Sequence, residues 1–248
     1  MQNSIITVRI HAGFNADAFL AGLLALTGQT SGTASAFLAK LFPEIDAEIA
    51  FGPRSVRSIA GYTARTIAPE GHVHRHLSDI ARILDASRLS PEARAICNRV
   101  WETLGKAEAR VHGTTLDDVH FHEVGRMANI LAVGLAAECW VNLGSPRLVA
   151  SPVPMGDGTI QCAHGAIPYP APALFAMLDG VPVRPYGGEG EPVTPTGLAV
   201  LLGFGAEFGP WPAMRIETRA TVFTLREFDD VPNGSLWAWG TELPKEYA

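Results

Sequence analysis

Apolar residues in the N-terminal third of the chain follow two different periods. Residues 5–10 are β-branched and alternate in polarity, which predicts a strand, and residues 16–26 follow with helix formers in an amphipathic pattern. A second helix is predicted over residues 34–41 and ends before Pro43, and the Gly, Val and Ile content of residues 48–67 is typical of a hairpin. This third of the chain therefore predicts a strand, two helices and a β-hairpin, in that order.

The middle of the chain is predominantly helical. Apolar residues at three- and four-residue spacing predict helices over residues 78–84 and 91–112, and Ser90 is placed to cap the second of them. Residues 115–124 break the helical period. Residues 129–143 resume it and are almost entirely apolar, which predicts a buried helix.

Short apolar runs separated by Pro- and Gly-rich turns fill the rest of the chain. The strands predicted there are 148–153, 159–162, 181–183 and the alternating stretch 214–239, and the helices are 171–178 and 195–204. Strands and helices without an internal repeat predict an α/β fold, with a mixed α+β arrangement as the alternative. We expect a single compact domain over residues 1–248, in which helices flank a mixed sheet.

Composition narrows the classes of partner. The chain carries 25 acidic and 19 basic residues, a net charge of −6, and no basic run interleaved with aromatic residues, which argues against nucleic acid. No stretch reaches the ~18 apolar residues of a membrane span, and the first residues do not resemble a secretory signal. The 3 cysteines form no CxxC pair, which fits a reducing compartment. We therefore expect a cytoplasmic protein with no membrane partner.

Two histidines flank Phe121 in the segment that breaks the helical period. Side chains alternate along an extended chain, so His120 and His122 would project from one face while Phe121 points into the core. Such a pair can chelate one cation, and Glu123 adds a neighbouring carboxylate. Imidazole with carboxylate suits zinc, nickel, iron or copper and does not select among them.

Two further segments carry candidate metal ligands at alternate positions. In GHVHRH, His72, His74 and His76 would share a face if the chain is extended, and a solvated loop is the alternative. In QCAHG, Cys162 and His164 stand two residues apart, and a thiolate beside an imidazole suits nickel or zinc. The alternative for that pair is a buried thiol and a turn histidine.

Polar groups also stand at two predicted helix starts. EPVTPTG places Thr194 as the N-cap before Pro195, so backbone N–H groups at Thr196 and Gly197 could bind a phosphate, although most such threonines only cap. Asp17 lies between the first strand and the first helix, where a carboxylate could cap the helix or bind a metal. Motifs of P-loop, dinucleotide-binding, serine hydrolase and HExxH metalloprotease families do not occur.

Four motifs in this order resemble LarC-type nickel-insertion proteins: GHVHRHLSDIARILDASRLS, AEARVHGTTLDDVHFHEVG, SPVPMGDGTIQCAHGAIPYPAPA and GEPVTPTGLA. The resemblance runs from about Gly13 to Gly197 and continues more loosely through the tail. It implies insertion of nickel into a pyridinium bis-thiocarboxylate mononucleotide, in a reaction that uses CTP with Mg or Mn. Full-length members carry a C-terminal region associated with CTP and oligomerisation, so we expect CTP use to require a separate partner.

The resemblance implies roles for the candidate residues. The metal ligands would be His72, His74, His120, His122, Cys162 and His164. The residues that would hold the phosphate are Glu191, Thr194, Thr196 and Gly197. Asp17 or Glu123 would take the proton that is lost as nickel bonds to a ring carbon. This set predicts a nickel chelatase, which is a metal-inserting lyase.

The chain departs from the family pattern at two carboxylate positions. The first strand ends in Val8-Arg9-Ile10-His11 where the family has an aspartate, and Ala128 stands where it has a second aspartate. The loss of these carboxylates favours an alternative, a non-catalytic divergent paralogue that acts as a metal-binding or scaffold protein. A hydrolase that uses another divalent metal is a third hypothesis.

Overall fold

The computed structural model describes residues 3–69, 75–121, 124–162 and 165–244, and of Cys162 it describes the backbone alone. The helices are α1 (Ala16–Leu26), α2 (Ser31–Leu41), α3 (Leu77–Ala86), α4 (Pro91–His112), α5 (Met127–Asn142), α6 (Pro172–Phe175) and α7 (Pro195–Gly203). The strands are β1 (Ser4–Ala12), β2 (Glu48–Val56), β3 (Ile59–Ile67), β4 (Arg75–His76), β5 (His120–Phe121), β6 (Arg147–Ala150), β7 (Val153–Met155), β8 (Gly158–Cys162), β9 (Gly165–Tyr169), β10 (Val183–Pro185), β11 (Glu207–Phe208), β12 (Met214–Val222) and β13 (Gly234–Glu242).

A mixed sheet of 7 strands forms the centre of the fold, in the order β11-β6-β1-β13-β12-β3-β2. β1 runs parallel to β6 and antiparallel to β13. Along β1, Ile6, Val8 and Ile10 belong to the hydrophobic core, so Thr7 and Arg9 between them point to the opposite face of the sheet. The α/β class expected from the sequence is confirmed.

Helices pack on one face of this sheet. α1 lies on β3, β12 and β13, and α5 and α7 pack against α1, with α4 behind them. On this interface Phe19 and Trp237 are fully buried, with ring centroids 5.4 Å apart. Gly22 allows this approach, because a Cβ atom there would overlap the Trp237 indole. The close approach of α1 to β13 at Trp237 thus requires a residue without a side chain at position 22.

Most predicted elements are confirmed by the structure. α1 and α4 have the predicted bounds, and the hairpin of β2 and β3 covers the predicted residues 48–67. Ser90 caps α4 by accepting a hydrogen bond from the Ala93 N–H, at 3.2 Å. α5 is buried along most of its length, as its apolar sequence predicts. These features are encoded by local period and capping residues.

Several elements in the second half of the chain differ from the prediction. The predicted strand 148–153 is divided between β6 and β7, with Ser151 at the break. The Ser151 N–H donates to Val8 O at 2.9 Å, and its Oγ accepts from the Ile10 N–H at 3.0 Å. α6 is shorter than predicted, and β9 and β11 were not predicted. In the described ranges, no helix has both the length and the apolarity needed to cross a bilayer. The single-domain assignment stays a prediction.

Candidate functional site

A cavity of about 830 Å³ opens between α4, the hairpin of β8 and β9, and the start of α7. Its polar lining includes Asn15, Glu108, His112, Asn129, Thr159, Gln161, Glu191, Thr194, Thr196 and Arg226. At one wall, His112 Nε2 lies 3.5 Å from Glu108 Oε2. A cavity of this size with scattered polar groups is suited to a small, polar ligand.

Two helices begin side by side at this cavity. The Asn15 side chain caps α1, and the Thr194 side chain caps α7. The two starts are joined because the Thr194 N–H donates to Phe14 O at 3.0 Å. Gly197 permits the contact, since a Cβ atom there would lie 2.5 Å from Phe14 O. Both helix dipoles therefore place their positive ends together, an arrangement that favours an anion.

The first turn of α7 offers fewer backbone donors than its sequence suggests. Pro195 has no N–H, and the Gly197 N–H already donates to Thr194 Oγ1 at 3.1 Å. The Thr196 N–H is the remaining first-turn donor, and the Thr196 hydroxyl lies 3.0 Å from that of Thr194. Thr194 is partly exposed to the cavity, whereas Thr196 is buried at its rim. Phosphate binding at this turn stays a prediction.

Asp17 lines a second cavity, of about 180 Å³, beside the first. Its Oδ1 accepts hydrogen bonds from the Thr66 N–H at 3.1 Å and from Thr66 Oγ1 at 2.7 Å, so it binds β3 and leaves the capping of α1 to Asn15. Burial raises the pKa of Asp17 to about 6, against the opposing effects of the Thr66 hydrogen bonds and the charge of Arg65. A carboxyl with a pKa of about 6 can exchange a proton close to neutral pH.

Four residues line both cavities, which are therefore adjacent: Asn15, Glu191, Thr194 and Arg226. The guanidinium of Arg226 lies 5.0 Å from the ring centroid of Phe228 and crosses the backbone at Gly190, where a Cβ atom would overlap it. No sequence signal pointed to Arg226 or Asn15 as site residues. Arg226 brings a positive charge to a site already bordered by two helix starts.

The HFHEV segment is described at its first two residues. His120 and Phe121 form β5, in which His120 is exposed and Phe121 is fully buried, with its ring centroid 5.9 Å from that of Trp101. The alternation predicted for these two residues is confirmed. β4 pairs His76, the third histidine of the GHVHRH segment, directly with His120.

Most of the other candidate ligands lie outside the residues that the structure describes. Those that lie outside the described residues are His72, His74, His122, Glu123 and His164. Cys162 ends β8, at the hairpin that lines the larger cavity. Among the residues that the structure describes, no three His, Cys, Asp or Glu side chains gather as a metal cluster. The ligand set therefore stays a prediction.

The resemblance places one expected aspartate among Val8, Arg9, Ile10 and His11 and another at Ala128, and these positions have different surroundings. Arg9 donates from Nη2 to Gly209 O at 2.7 Å and from Nη1 to Pro210 O at 3.2 Å, and its guanidinium lies 5.7 Å from the centroid of Trp211. Arg9 therefore ties the loop after β11 to the sheet. Ala128 is partly exposed in the first turn of α5, beside the cavity-lining Asn129.

Comparison with known proteins gives a consistent family signal. The family model described as Nickel insertion protein matches residues 6–240. A pyridinium-3,5-bisthiocarboxylic acid mononucleotide nickel insertion protein of Desulfitobacterium hafniense (strain DSM 10664 / DCB-2) is 44% identical over 162 residues, covering 65% of this chain and 40% of the relative. A protein of the same description from Staphylococcus epidermidis is 34% identical over 219 residues, covering 88% of this chain and 55% of the relative. The chain spans about half the length of these relatives. No solved structure matches it.

Proposed function

The chain belongs to the nickel insertion protein family, and from this membership we propose that it inserts nickel into a pyridinium bis-thiocarboxylate mononucleotide bound in the cavity of about 830 Å³. One observation carries the proposal. The joined starts of α1 and α7 border this cavity. The same cavity is lined by the hairpin that leads into the QCAHG motif, and also by Val124, which follows HFHE in the chain. The two helix starts would bind an anionic group, and the two motifs would bind a metal, on one small molecule in this cavity.

The phosphate of the mononucleotide would bind at the start of α7. The Thr194 and Thr196 hydroxyls and the Thr196 N–H are suited to its oxygens, and Arg226 supplies a positive charge at the rim. Glu191 lines the same region and would restrict the number of negative charges that can enter. A monoanionic or dianionic phosphate on a cationic pyridinium ring satisfies that restriction.

Asp17 would accept the proton released when nickel bonds to the ring. Formation of the nickel–carbon bond breaks a carbon–hydrogen bond, and both electrons of that bond pass to the metal–carbon bond while the proton leaves to a base. With a pKa of about 6, Asp17 is largely ionised at neutral pH and still holds a proton well enough to accept it. Its place beside the cavity supports this role over that of a helix cap.

Nickel in this proposal is a substrate that passes through the protein. Imidazole and thiolate groups of the HFHEV and QCAHG segments would hold it, with His120, His122, Cys162 and His164 as the proposed donors. Use of CTP with Mg or Mn, supplied through a separate C-terminal region or partner, is part of the same proposal. The free thiols of Cys97 and Cys139 support a cytosolic location.

The test is an in vitro assay with Ni²⁺, the thiolated pyridinium mononucleotide, CTP and Mg²⁺ or Mn²⁺, read by the mass of the nickel-bearing product. Thr194→Ala should reduce the rate through weaker substrate binding and raise the apparent KM for the mononucleotide. Thr30→Ala is the matched control, because Thr30 caps α2 by the same hydrogen bond and is exposed. Equal kinetics for the two variants would contradict the phosphate site.

A second function is favoured by the lost carboxylates. One expected aspartate is absent from the end of β1, where Arg9 is engaged with backbone carbonyls, and another is absent at Ala128. The chain would then bind nickel without inserting it. The unmodified chain is then inactive alone, and activity appears with a partner or with Ala128→Asp. Product formation by the unmodified chain alone would eliminate this alternative.

A further inference from the structure

A two-stranded ribbon presents a pair of imidazoles on one face. β4 and β5 are antiparallel, with His76 opposite His120 and Arg75 opposite Phe121. Phe121 is fully buried and anchors the ribbon to the core, so the two histidines of the other pair must face outward together. Both are exposed, and their ring centroids lie 6.0 Å apart.

We propose that His76 and His120 form a cross-strand site for a divalent transition metal. Two imidazoles that bind one ion through nitrogens at about 2.1 Å have ring centroids roughly 5–6 Å apart, depending on the angle at the metal. The observed 6.0 Å is at the wide end of that range, so the spacing of the two rings fits one shared ion.

The orientation of His76 supports a role as a ligand. Its Nδ1 lies 3.0 Å from Val119 O, and because a carbonyl oxygen only accepts, Nδ1 carries the hydrogen. Nε2 then has the free lone pair that a metal requires. Metal-binding histidines commonly have this arrangement, in which a backbone carbonyl fixes the tautomer and the ring orientation.

Asp79 is the carboxylate nearest in sequence to His76, but its Oδ2 accepts from the His76 N–H at 2.8 Å and its Oδ1 is paired with Arg82. Two protein donors leave room for water or for sulfur ligands of a second molecule. The site is therefore suited to transient capture of an ion. This proposal deepens the proposed nickel insertion, and it rests on that function only for the identity of the molecule that receives the ion.

The experiment measures Ni²⁺ binding by titration calorimetry in the absence of the mononucleotide. His76→Asn is the decisive variant, because the Asn amide can still donate to Val119 O but lacks a second nitrogen lone pair at the Nε2 position. We expect its affinity for Ni²⁺ to fall about tenfold or more. His11→Ala is the matched control, since His11 lies beside Arg9 and Arg184, which repel a cation.

A His122→Ala variant distinguishes the pair of His76 and His120 from the pair of His120 and His122. Unchanged binding in His76→Asn with loss in His122→Ala would overturn the proposal in favour of His120 with His122. Absence of Ni²⁺ binding by the unmodified protein would also overturn it. In ¹⁵N NMR of the unmodified protein, Zn²⁺ should perturb Nε2 of His76 while Nδ1 keeps its hydrogen. Because no cofactor is present, failure of the insertion assay leaves this result intact.

Discussion

Replacing Asp17 with Asn should make the protein more stable at neutral pH and less active. Asn is nearly isosteric, and its Oδ1 can accept the same two hydrogen bonds from the N–H and hydroxyl of Thr66. The variant lacks the charge that burial disfavours and can no longer accept a proton. The site would thus trade stability for a base of suitable pKa, as functional sites commonly do.

The size of the expected change in the free energy of unfolding follows from the pKa of Asp17, which burial raises from 3.8 to about 6. A difference of roughly 2 pKa units corresponds to about 3 kcal/mol. Because the carboxyl keeps partial contact with the cavity, solvent screening reduces this to roughly 1–3 kcal/mol. Between pH 3.8 and about 6 the folded protein holds a proton that the unfolded chain has released, so the contribution of Asp17 to the free energy of unfolding falls as the pH rises through this window.

Urea unfolding of both proteins at about pH 4 and about pH 8 tests this reasoning. The Asn variant should match the unmodified protein near pH 4 and exceed it by roughly 1–3 kcal/mol near pH 8, because the other titrating groups are common to both. Asp46→Asn, at an exposed position, controls for the change in net charge. A variant that is less stable near pH 8 would refute the assignment of a costly buried charge. Insertion activity should be lost in Asp17→Asn and retained in Asp46→Asn.

Three further changes have definite expected outcomes. Thr66→Val removes a hydroxyl donor from the carboxylate and should raise the pKa of Asp17 above about 6, as measured by ¹³C NMR of the carboxyl carbon; an unchanged pKa would contradict the hydrogen bond. Gly22→Ala should destabilise the protein by roughly 1–3 kcal/mol in urea unfolding, since the methyl group overlaps Trp237. Ala128→Asp should stabilise it by about 0.3–1 kcal/mol, because a carboxylate in the first turn of α5 interacts favourably with the helix dipole, and no gain at low salt would argue against this.

Local signals were sufficient for much of the fold. The bounds of α1 and α4 were predicted because apolar residues recur at the helical period and Ser90 supplies a cap. The two family-like motifs around His120 and Thr194 were also visible in the sequence, since each is a short run of residues close in the chain. Contacts of this kind need no knowledge of the rest of the protein.

Tertiary structure decided which groups meet. The pairing of His76 with His120 depends on two segments separated by α3 and α4, and the alternation within HFH could not indicate it. The approach of Arg226 to the start of α7 likewise has no local signal. Asp17 acquires its raised pKa from burial, which is a property of the packed molecule and not of its neighbours in the chain. Sequence periodicity specifies which face of an element is buried, whereas the identity of the groups across a cavity depends on how the elements pack together.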